Sequence, residues 1–297
     1  MSKRRKSNAM TDLQWIARVV GSSRFWIVIA WIGTFAVIAR GLHKLEPVVR
    51  QFDLGDTRIV WLGVPDWLQT ENWRYVLDDL EHGISLDPKT IPYDERVCPY
   101  VAEQLAKSPW ISQIRRISKQ NDGIVKIYAE FRRPYAAIER DGMAYLIDEN
   151  GYRLPEQWPG YAVNRGGWFV LRGVKEPLPE LGERWPGADV VAGLKLVSFL
   201  SRAELAGRLP FRKEIQAIDV SNFYKKGSWD GRLQLITKNP ESYIHWGVPP
   251  GEEYKVEASA EMKLAQLNSL FDKYGCLPND RPIDVRTEGR IGIGSPE

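Results

Sequence analysis

The sequence has 297 residues, of which 43% are apolar and 27% are charged, and its formal net charge is +3. This composition is typical of a folded globular protein and excludes a chain dominated by low-complexity sequence. The two cysteines, Cys98 and Cys276, are too few and too far apart for a dense disulfide framework, so we expect two separate thiols.

An apolar segment near the amino terminus predicts a membrane-spanning helix over residues 25–42. From Phe25 to Ala39 no residue is charged, and only Thr34 has a polar side chain. Eighteen residues make a helix about 27 Å long, close to the ~30 Å thickness of a hydrocarbon core. Arg40 is compatible with this span because its long side chain can reach the lipid headgroups.

Charge predicts the orientation of this helix. Residues 1–24 form a basic tail that contains one acidic residue, and its six basic residues are Lys3, Arg4, Arg5, Lys6, Arg18 and Arg24. The rest of the chain has a small acidic excess. Basic residues beside a span stay in the cytoplasm, so we expect a cytoplasmic amino terminus, a connector over residues 43–56 and exported domains beyond it. As a topology signal, the basic excess gives no reason to expect nucleic-acid binding.

A cleaved signal peptide is the alternative interpretation of the same segment. Val37 and Ala39 would then be the small residues before the cut. The long basic leader, the length of the apolar run and Arg40 directly after that site favour a retained anchor. We therefore expect a single-pass protein of the cytoplasmic membrane.

A first exported domain is expected over residues 57–133. Its helices are predicted from apolar residues at helical spacing, and its strands from apolar alternation beside turn residues. The alternation is clearest in the last strand, where Val125, Ile127 and Ala129 are separated by polar side chains. The predicted elements are, in order, a strand at 58–62, a helix at 73–83, a helix between Pro99 and Pro109, and strands at 111–118 and 124–132.

A second exported domain is expected over residues 134–293, followed by a tail at 294–297. Its short strands, separated by Gly and Pro turns, are typical of an antiparallel sheet, so the predicted class is α+β with a mostly antiparallel sheet. The predicted elements are strands at 143–147, 152–154 and 168–172, a helix at 190–200, strands at 215–220, 233–237 and 243–246, a helix at 264–274, and a last strand at 283–286.

Several short motifs behind the anchor resemble those of the bacterial cell division proteins FtsQ and DivIB, which form one family. That family has Pro-Trp-Val before a strand of its POTRA domain, Arg-x-Pro-Val-Ala after the next strand, and then a hairpin with Val-Asp-x-x-Gly. The similar segments here are Ser108-Pro109-Trp110-Ile111, Arg132-Arg133-Pro134-Tyr135-Ala136, Tyr145 to Tyr152, Trp246-Gly247, Lys263-Leu264 and Ile283-Asp284-Val285-Arg286. The order and spacing of these segments cover nearly the whole chain.

The resemblance implies a scaffold of the division complex at the division site and no enzymatic activity. It implies that residues 57–133 form a POTRA domain, a β-α-α-β-β module that helps to place the protein in the complex. The distal domain would bind the small coiled-coil division proteins FtsB and FtsL, and no cofactor, metal or small-molecule substrate is expected. The implied structural motif residues are Pro109, Trp110, Arg132, Pro134, Asp148, Gly151, Trp246 and Gly247.

These motif residues also have simpler structural interpretations. Pro109 and Trp110 can serve as a helix stop and a core anchor. Residues 132–134 can be an exposed strand end followed by an interdomain break. The first interpretation predicts that Trp110 is buried.

A partner-binding surface is expected at the last predicted strand. Unpaired backbone groups of an edge strand can accept a strand from another protein. Alternation points Ile283 and Val285 to the core and leaves Asp284 and Arg286 on the open face, with the helix of Lys263 as a neighbour. The alternative is that the edge is solvated or covered by residues 290–297.

Catalytic motifs are weak throughout the sequence. The three histidines, His43, His82 and His245, lie in separate segments, and no phosphate loop, nucleophile elbow or dinucleotide fingerprint occurs. Two other hypotheses stay open. The chain can be a POTRA-bearing adaptor of another envelope assembly, since a fold does not fix a function, or a membrane-anchored envelope hydrolase.

Overall fold

The computed structural model describes residues 23–51, 58–84, 95–120, 124–160, 167–225, 232–238, 242–254, 256–278, 281–289 and 291–293. Most of the predicted basic tail, part of the connector and the tail at 294–297 lie outside these residues. The chain divides into a unit that ends at Thr57 and a compact unit over residues 58–297.

The first unit contains helix α1, Ser23–Gln51. Its segment Trp26–Lys44 is long and apolar enough to cross a membrane, as the sequence predicts. The hydroxyl group of Thr34 donates a hydrogen bond to the carbonyl oxygen of Ala30, so its polarity is satisfied within the helix. The helix continues beyond Leu42 to Gln51, so it includes the first part of the predicted connector.

The second unit begins with a three-stranded sheet and two helices. Its elements are β1 Arg58–Leu62, a 3₁₀ turn Asp66–Gln69, α2 Arg74–Gly83, α3 Val97–Ala106, β2 Ile111–Lys119 and β3 Ile124–Phe131. This is the predicted order of strand, helix, helix, strand, strand. In the described part of the chain the strand order is β1-β3-β2, with β1 parallel and β2 antiparallel to β3.

Periodicity explains how this layer packs. Alternation in β3 places Val125, Ile127 and Ala129 on one face, where all three are buried. Val76 and Val101, on the apolar sides of α2 and α3, belong to the same core. The opposite side chains of β3 point away from this core.

The remaining strands form a second sheet, which has nine strands in the described residues. Its elements are β4 Ala136–Arg140, β5 Met143–Ile147, β6 Arg153–Pro159, β7 Phe169–Arg172, α4 Ala188–Leu205, a 3₁₀ turn Arg212–Glu214, β8 Ile215–Asp219, β9 Leu233–Thr237, β10 Tyr243–Gly247, α5 Ala260–Tyr274, β11 Ile283–Asp284 and β12 Gly292–Ile293. The strand order is β12-β11-β10-β9-β8-β7-β4-β5-β6. Pairs β4–β7, β7–β8 and β10–β11 are parallel and the other five are antiparallel, so the sheet is mixed and mostly antiparallel.

Each face of this sheet has its own core. Helices α4 and α5 cover one face and bury residues such as Leu171, Leu235 and Ile244. On the other face, Leu146 and Val170 join the core of the three-stranded layer. One of the two cores is therefore shared between the sheets, so the segments predicted as two exported domains form one compact unit.

Candidate partner-binding surface

The last predicted strand is shorter than expected and does not lie at the edge of the nine-stranded sheet. Strand β11 contains only Ile283 and Asp284, and it lies between β10 and β12. Ile283 pairs with Ile293, and Asp284 pairs with Gly292. The prediction that residues 283–286 form the edge is therefore wrong, and its alternative is confirmed, because β12, within residues 290–297, covers β11. The terminal edge of the described sheet is β12 itself.

The predicted alternation of side chains is confirmed on the inner side. Ile283 and Val285 are fully buried in the core beneath α5. Asp284 and Arg286 are partly exposed and bind each other, with Arg286 Nε 2.9 Å from Asp284 Oδ1 and Nη2 2.6 Å from Oδ2. Burial alone would raise the pKa of Asp284, but the hydrogen bonds and the charge of Arg286 outweigh burial and lower it.

Lys263 lies beneath the surface and not on it. Its side chain is fully buried, and Nζ donates a 2.6 Å hydrogen bond to Glu257 Oε1. Nζ also lies 5.4 Å from the centre of the Trp246 ring. Burial lowers the pKa of Lys263, and the nearby Glu257 carboxylate opposes this effect. We therefore correct the prediction that Lys263 contacts a partner directly, because its ammonium group is enclosed within the protein.

Trp246 and Gly247 are explained by the same buried ion pair. Gly247 has φ = 97°, and a Cβ atom there would overlap the Glu257 carboxylate. Glu257 Oε1 also accepts a 2.9 Å hydrogen bond from the backbone N–H of Val248. Glycine thus allows the carboxylate to reach both the backbone and Lys263 above the Trp246 ring.

This ion pair supports the segment that follows β11. The backbone N–H of Ala258, next to Glu257, donates a 2.7 Å hydrogen bond to the carbonyl oxygen of Arg286. Gln266 of α5 donates a second one, 2.9 Å long, to the carbonyl oxygen of Thr287. Helix α5 and the loop before it therefore hold the chain between β11 and β12 in place.

The opposite edge of the nine-stranded sheet is β6. Its Pro155 and Pro159 have no backbone N–H to offer to another strand. At Arg153 the edge is already occupied, since Arg153 N–H binds the carbonyl oxygen of Glu183 and Gly182 N–H binds that of Arg153. Of the two ends of the described sheet, β12 is thus the better acceptor of an added strand.

The other motif residues are structural. Asp148 Oδ1 accepts hydrogen bonds from the backbone N–H groups of Asn150 and Tyr152, and Arg132 Nη1 lies 3.1 Å from Asp148 Oδ2. The Arg132 guanidinium also lies 3.7 Å above the Tyr152 ring. Gly151 supplies the positive φ of this turn, 83°. These contacts join the end of β3 to the β5–β6 hairpin, and the nearby Pro134 is buried.

Trp110 is 5% exposed and belongs to an aromatic cluster, as its core interpretation predicts. Its ring centre lies 5.7 Å from that of Trp73 and 6.5 Å from that of Trp67. Trp73 in turn lies 6.2 Å from Trp168, which precedes β7. Pro109 stands between α3 and β2, as a helix stop would. The cluster connects the three-stranded layer to the nine-stranded sheet.

Among the described residues, no group of three or more His, Cys, Asp or Glu side chains could hold a metal ion. Cys98 and Cys276 are both free thiols. A cavity of about 390 Å³ lies between α2, α3 and β6, where the Tyr75 hydroxyl is 2.5 Å from Glu156 Oε1. Burial and this carboxylate raise the pKa of Tyr75, so its hydroxyl keeps its proton and holds the two layers together.

No protein-family model matches the chain, and a comparison with curated proteins finds no match.

Two components of the surface were missed in the sequence. Glu257 has no motif signal, since its importance comes from its distance to Lys263 after folding. Strand β12 is too short to show alternation. The one sequence signal that could have indicated the network is a glycine directly after a core tryptophan, because glycine there marks close approach of another group.

Proposed function

We propose that the protein is a single-pass membrane scaffold of the bacterial cell division complex, of the FtsQ and DivIB kind. The observation that carries this proposal is strand β12, which is the terminal strand of the sheet in the described residues, on a sheet that follows an apolar amino-terminal helix in the chain. An edge strand binds other proteins through its backbone and needs no pocket or catalytic group. The protein then acts by assembling partners and not as an enzyme.

The length and hydropathy of α1 support the anchor, and the basic residues before it support a cytoplasmic amino terminus. A reporter that is active only outside the cytoplasm should work when fused after Glu297 and fail when fused at residue 20. Recovery of a mature chain that begins at Arg40 would contradict the anchor and support a cleaved leader.

The element order of residues 58–131 supports a POTRA domain next to the anchor. A strand, two helices and two strands, with the first strand in parallel pairing beside the last, agree with the module that the sequence motifs imply. In this proposal the module helps to recruit the protein to the division site.

The edge at β12 is the proposed site for a strand of a coiled-coil partner of the FtsB or FtsL kind. An added strand forms backbone hydrogen bonds with β12. The charges of the nearby Asp284–Arg286 pair favour one orientation of that strand. Buried Lys263 contributes indirectly, since its ion pair supports the segment between β11 and β12.

Deleting residues 292–297 tests this site. The deletion removes β12 and leaves β11 paired with β10. It keeps Ile291, which packs partly buried against the larger core, and removes none of the buried residues of the two cores. We expect co-purification with FtsB- and FtsL-like partners to be lost while the thermal melt of the chain changes little. Gln157→Lys on the β6 edge is the matched control and should still bind.

Retained binding after the deletion would place the interface elsewhere. A fluorescent fusion to the amino terminus separates the broader hypotheses. Recruitment to midcell supports the division scaffold, whereas uniform envelope fluorescence supports an adaptor of another envelope assembly.

A further inference from the structure

The three-stranded sheet has an exposed face opposite α2 and α3. We call it the outer face, and it contains apolar and basic side chains from all three strands. Val60, Leu62 and Tyr128 are 36%, 42% and 46% exposed. The residues of the outer face are Arg58, Val60 and Leu62 of β1, Gln113, Arg116 and Ser118 of β2, and Ile124, Lys126, Tyr128 and Glu130 of β3.

Strand register places the apolar residues between the basic ones. Leu62 of β1 lies opposite Tyr128 of β3, which lies opposite Arg116 of β2. Val60 lies opposite Lys126 in the same way. The Tyr128 ring also covers the backbone at Gly63, where a Cβ atom would be 2.8 Å from it. The result is an apolar strip of three side chains, bordered by positive charge.

The outer face has an excess of positive charge, since Glu130, its one acidic residue in the described part of the chain, already binds Arg115. Arg58, Arg116 and Lys126 take part in no ion pair within the described part of the chain. Arg115, beside the face, is different because it binds Glu130 at 2.6 Å. Lys195 is likewise paired on another surface. Three free cations around an apolar strip fit an anionic, amphipathic partner.

The outer face and the predicted anchor are joined by a short link in sequence. Six residues, 52–57, separate Gln51, the last residue of α1, from Arg58 of β1. Seven Cα–Cα steps cannot extend beyond about 25 Å, whatever the arrangement of the two segments. A bilayer that holds α1 is therefore available to the outer face at high effective concentration.

We propose that the outer face binds the surface of an anionic phospholipid bilayer. Arg58, Arg116 and Lys126 contact the lipid phosphates, and the Tyr128 ring and the two aliphatic side chains enter the headgroup region. Binding of this kind is electrostatic in part, so it weakens with salt and with zwitterionic lipid. The proposal rests on the proposed function only in taking α1 as a membrane anchor.

The full chain in lipid nanodiscs tests the proposal. A fluorophore is attached through Ser118→Cys, with Cys98 and Cys276 changed to Ser, and energy transfer to a labelled lipid headgroup is measured. With ~30% phosphatidylglycerol we expect more transfer than with phosphatidylcholine alone, and the difference should disappear in about 0.5 M salt. A label at Lys213→Cys gives the reference distance.

Charge reversal provides the matched comparison. The variant R58E/R116E/K126E should lower the bilayer-bound fraction on the order of tenfold or more, since each cation near an anionic surface strengthens binding several-fold. The control K213E/K225E/K238E changes the net charge equally at three exposed lysines elsewhere and should behave like the parent.

Equal transfer in both lipids, or equal effects of the two triple variants, would overturn the proposal. Energy transfer that is independent of the lipid but rises with a second copy of the chain per disc would assign the outer face to self-association. That result would overturn the proposal as well. Failure of midcell recruitment would leave these readouts unchanged. If α1 does not hold the chain in the disc, the anchor proposal fails separately, and flotation of the released chain with anionic vesicles still tests the face.

Discussion

The buried ion pair between Lys263 and Glu257 gives the sharpest prediction. Replacing Lys263 by Met keeps the length of the side chain but removes the ammonium group. The side chain of Glu257 is 16% exposed. Within the described part of the chain, the N–H of Val248 is then the only hydrogen-bond donor to its carboxylate. Removing one partner of a buried pair costs about 3–5 kcal/mol because the other charge stays buried without compensation.

The double variant K263M/E257Q removes both charges together. A buried pair gains little over neutral side chains of similar size, since desolvation of the two charges offsets their attraction. We therefore expect the double variant to unfold within about 1 kcal/mol of the parent, with a coupling energy of about 2 kcal/mol or more between the two sites. Urea unfolding, followed by tryptophan fluorescence, measures all four proteins of the cycle.

The same cycle has a pH dependence. Because burial lowers the pKa of Lys263 below its ordinary value of 10.5, the unfolded chain binds more protons between the two values. The stability of the parent should therefore rise with pH in this window relative to K263M, and the gain should be complete above the unfolded value. A single variant that costs no more than the double one would refute the reasoning.

Four further predictions concern the same sheet and its neighbours. Trp110→Ala should cost about 3–5 kcal/mol of unfolding free energy, measured on the full chain, and an unchanged melt would mean that the side chain is exposed. Gly247→Ala should cost about 1–3 kcal/mol of unfolding free energy from its positive φ alone, and more because Cβ displaces the Glu257 carboxylate. Gly275→Ala is the control, since Gly275 also has a positive φ but has open space around it. Arg286→Glu should destabilise the fold by about 1 kcal/mol, since it places a second negative charge beside Asp284, and no change in the melt would contradict that pairing. Because the folded pKa of Asp284 lies below its ordinary value of 3.8, its contribution should be present above that value and be lost as the pH falls through the folded pKa, an effect absent in Asp284→Asn.

Hydrophobic periodicity in the sequence was sufficient to predict most of the helices and strands. Strands β1, β5 and β9 begin and end where alternation places them, and α5 ends before Gly275, whose φ of 73° closes the helix. In β1 and β9 more buried and more exposed side chains alternate, so a single period is visible in the sequence.

Long-range pairing was not predictable from the same patterns. Strand β4, Ala136–Arg140, was missed because it is central and its first three residues are all buried, which removes the alternation. The burial of Lys263 was missed for a related reason, since a lysine on a helix normally reaches solvent. Only the folded position of Glu257, six residues earlier in the sequence, makes burial of this charge tolerable.

The tryptophan cluster also packs the two sheets of residues 58–297 against each other, in agreement with their being one compact unit. Trp73 precedes α2 of the three-stranded layer and Trp168 precedes β7 of the nine-stranded sheet, and their rings meet edge to face. The stacked Trp158 and Trp168, 5.3 Å apart, should give a coupled near-ultraviolet circular dichroism band. Separation of the two layers would remove Trp73 from the Trp168 ring, so the band should change when this contact is lost.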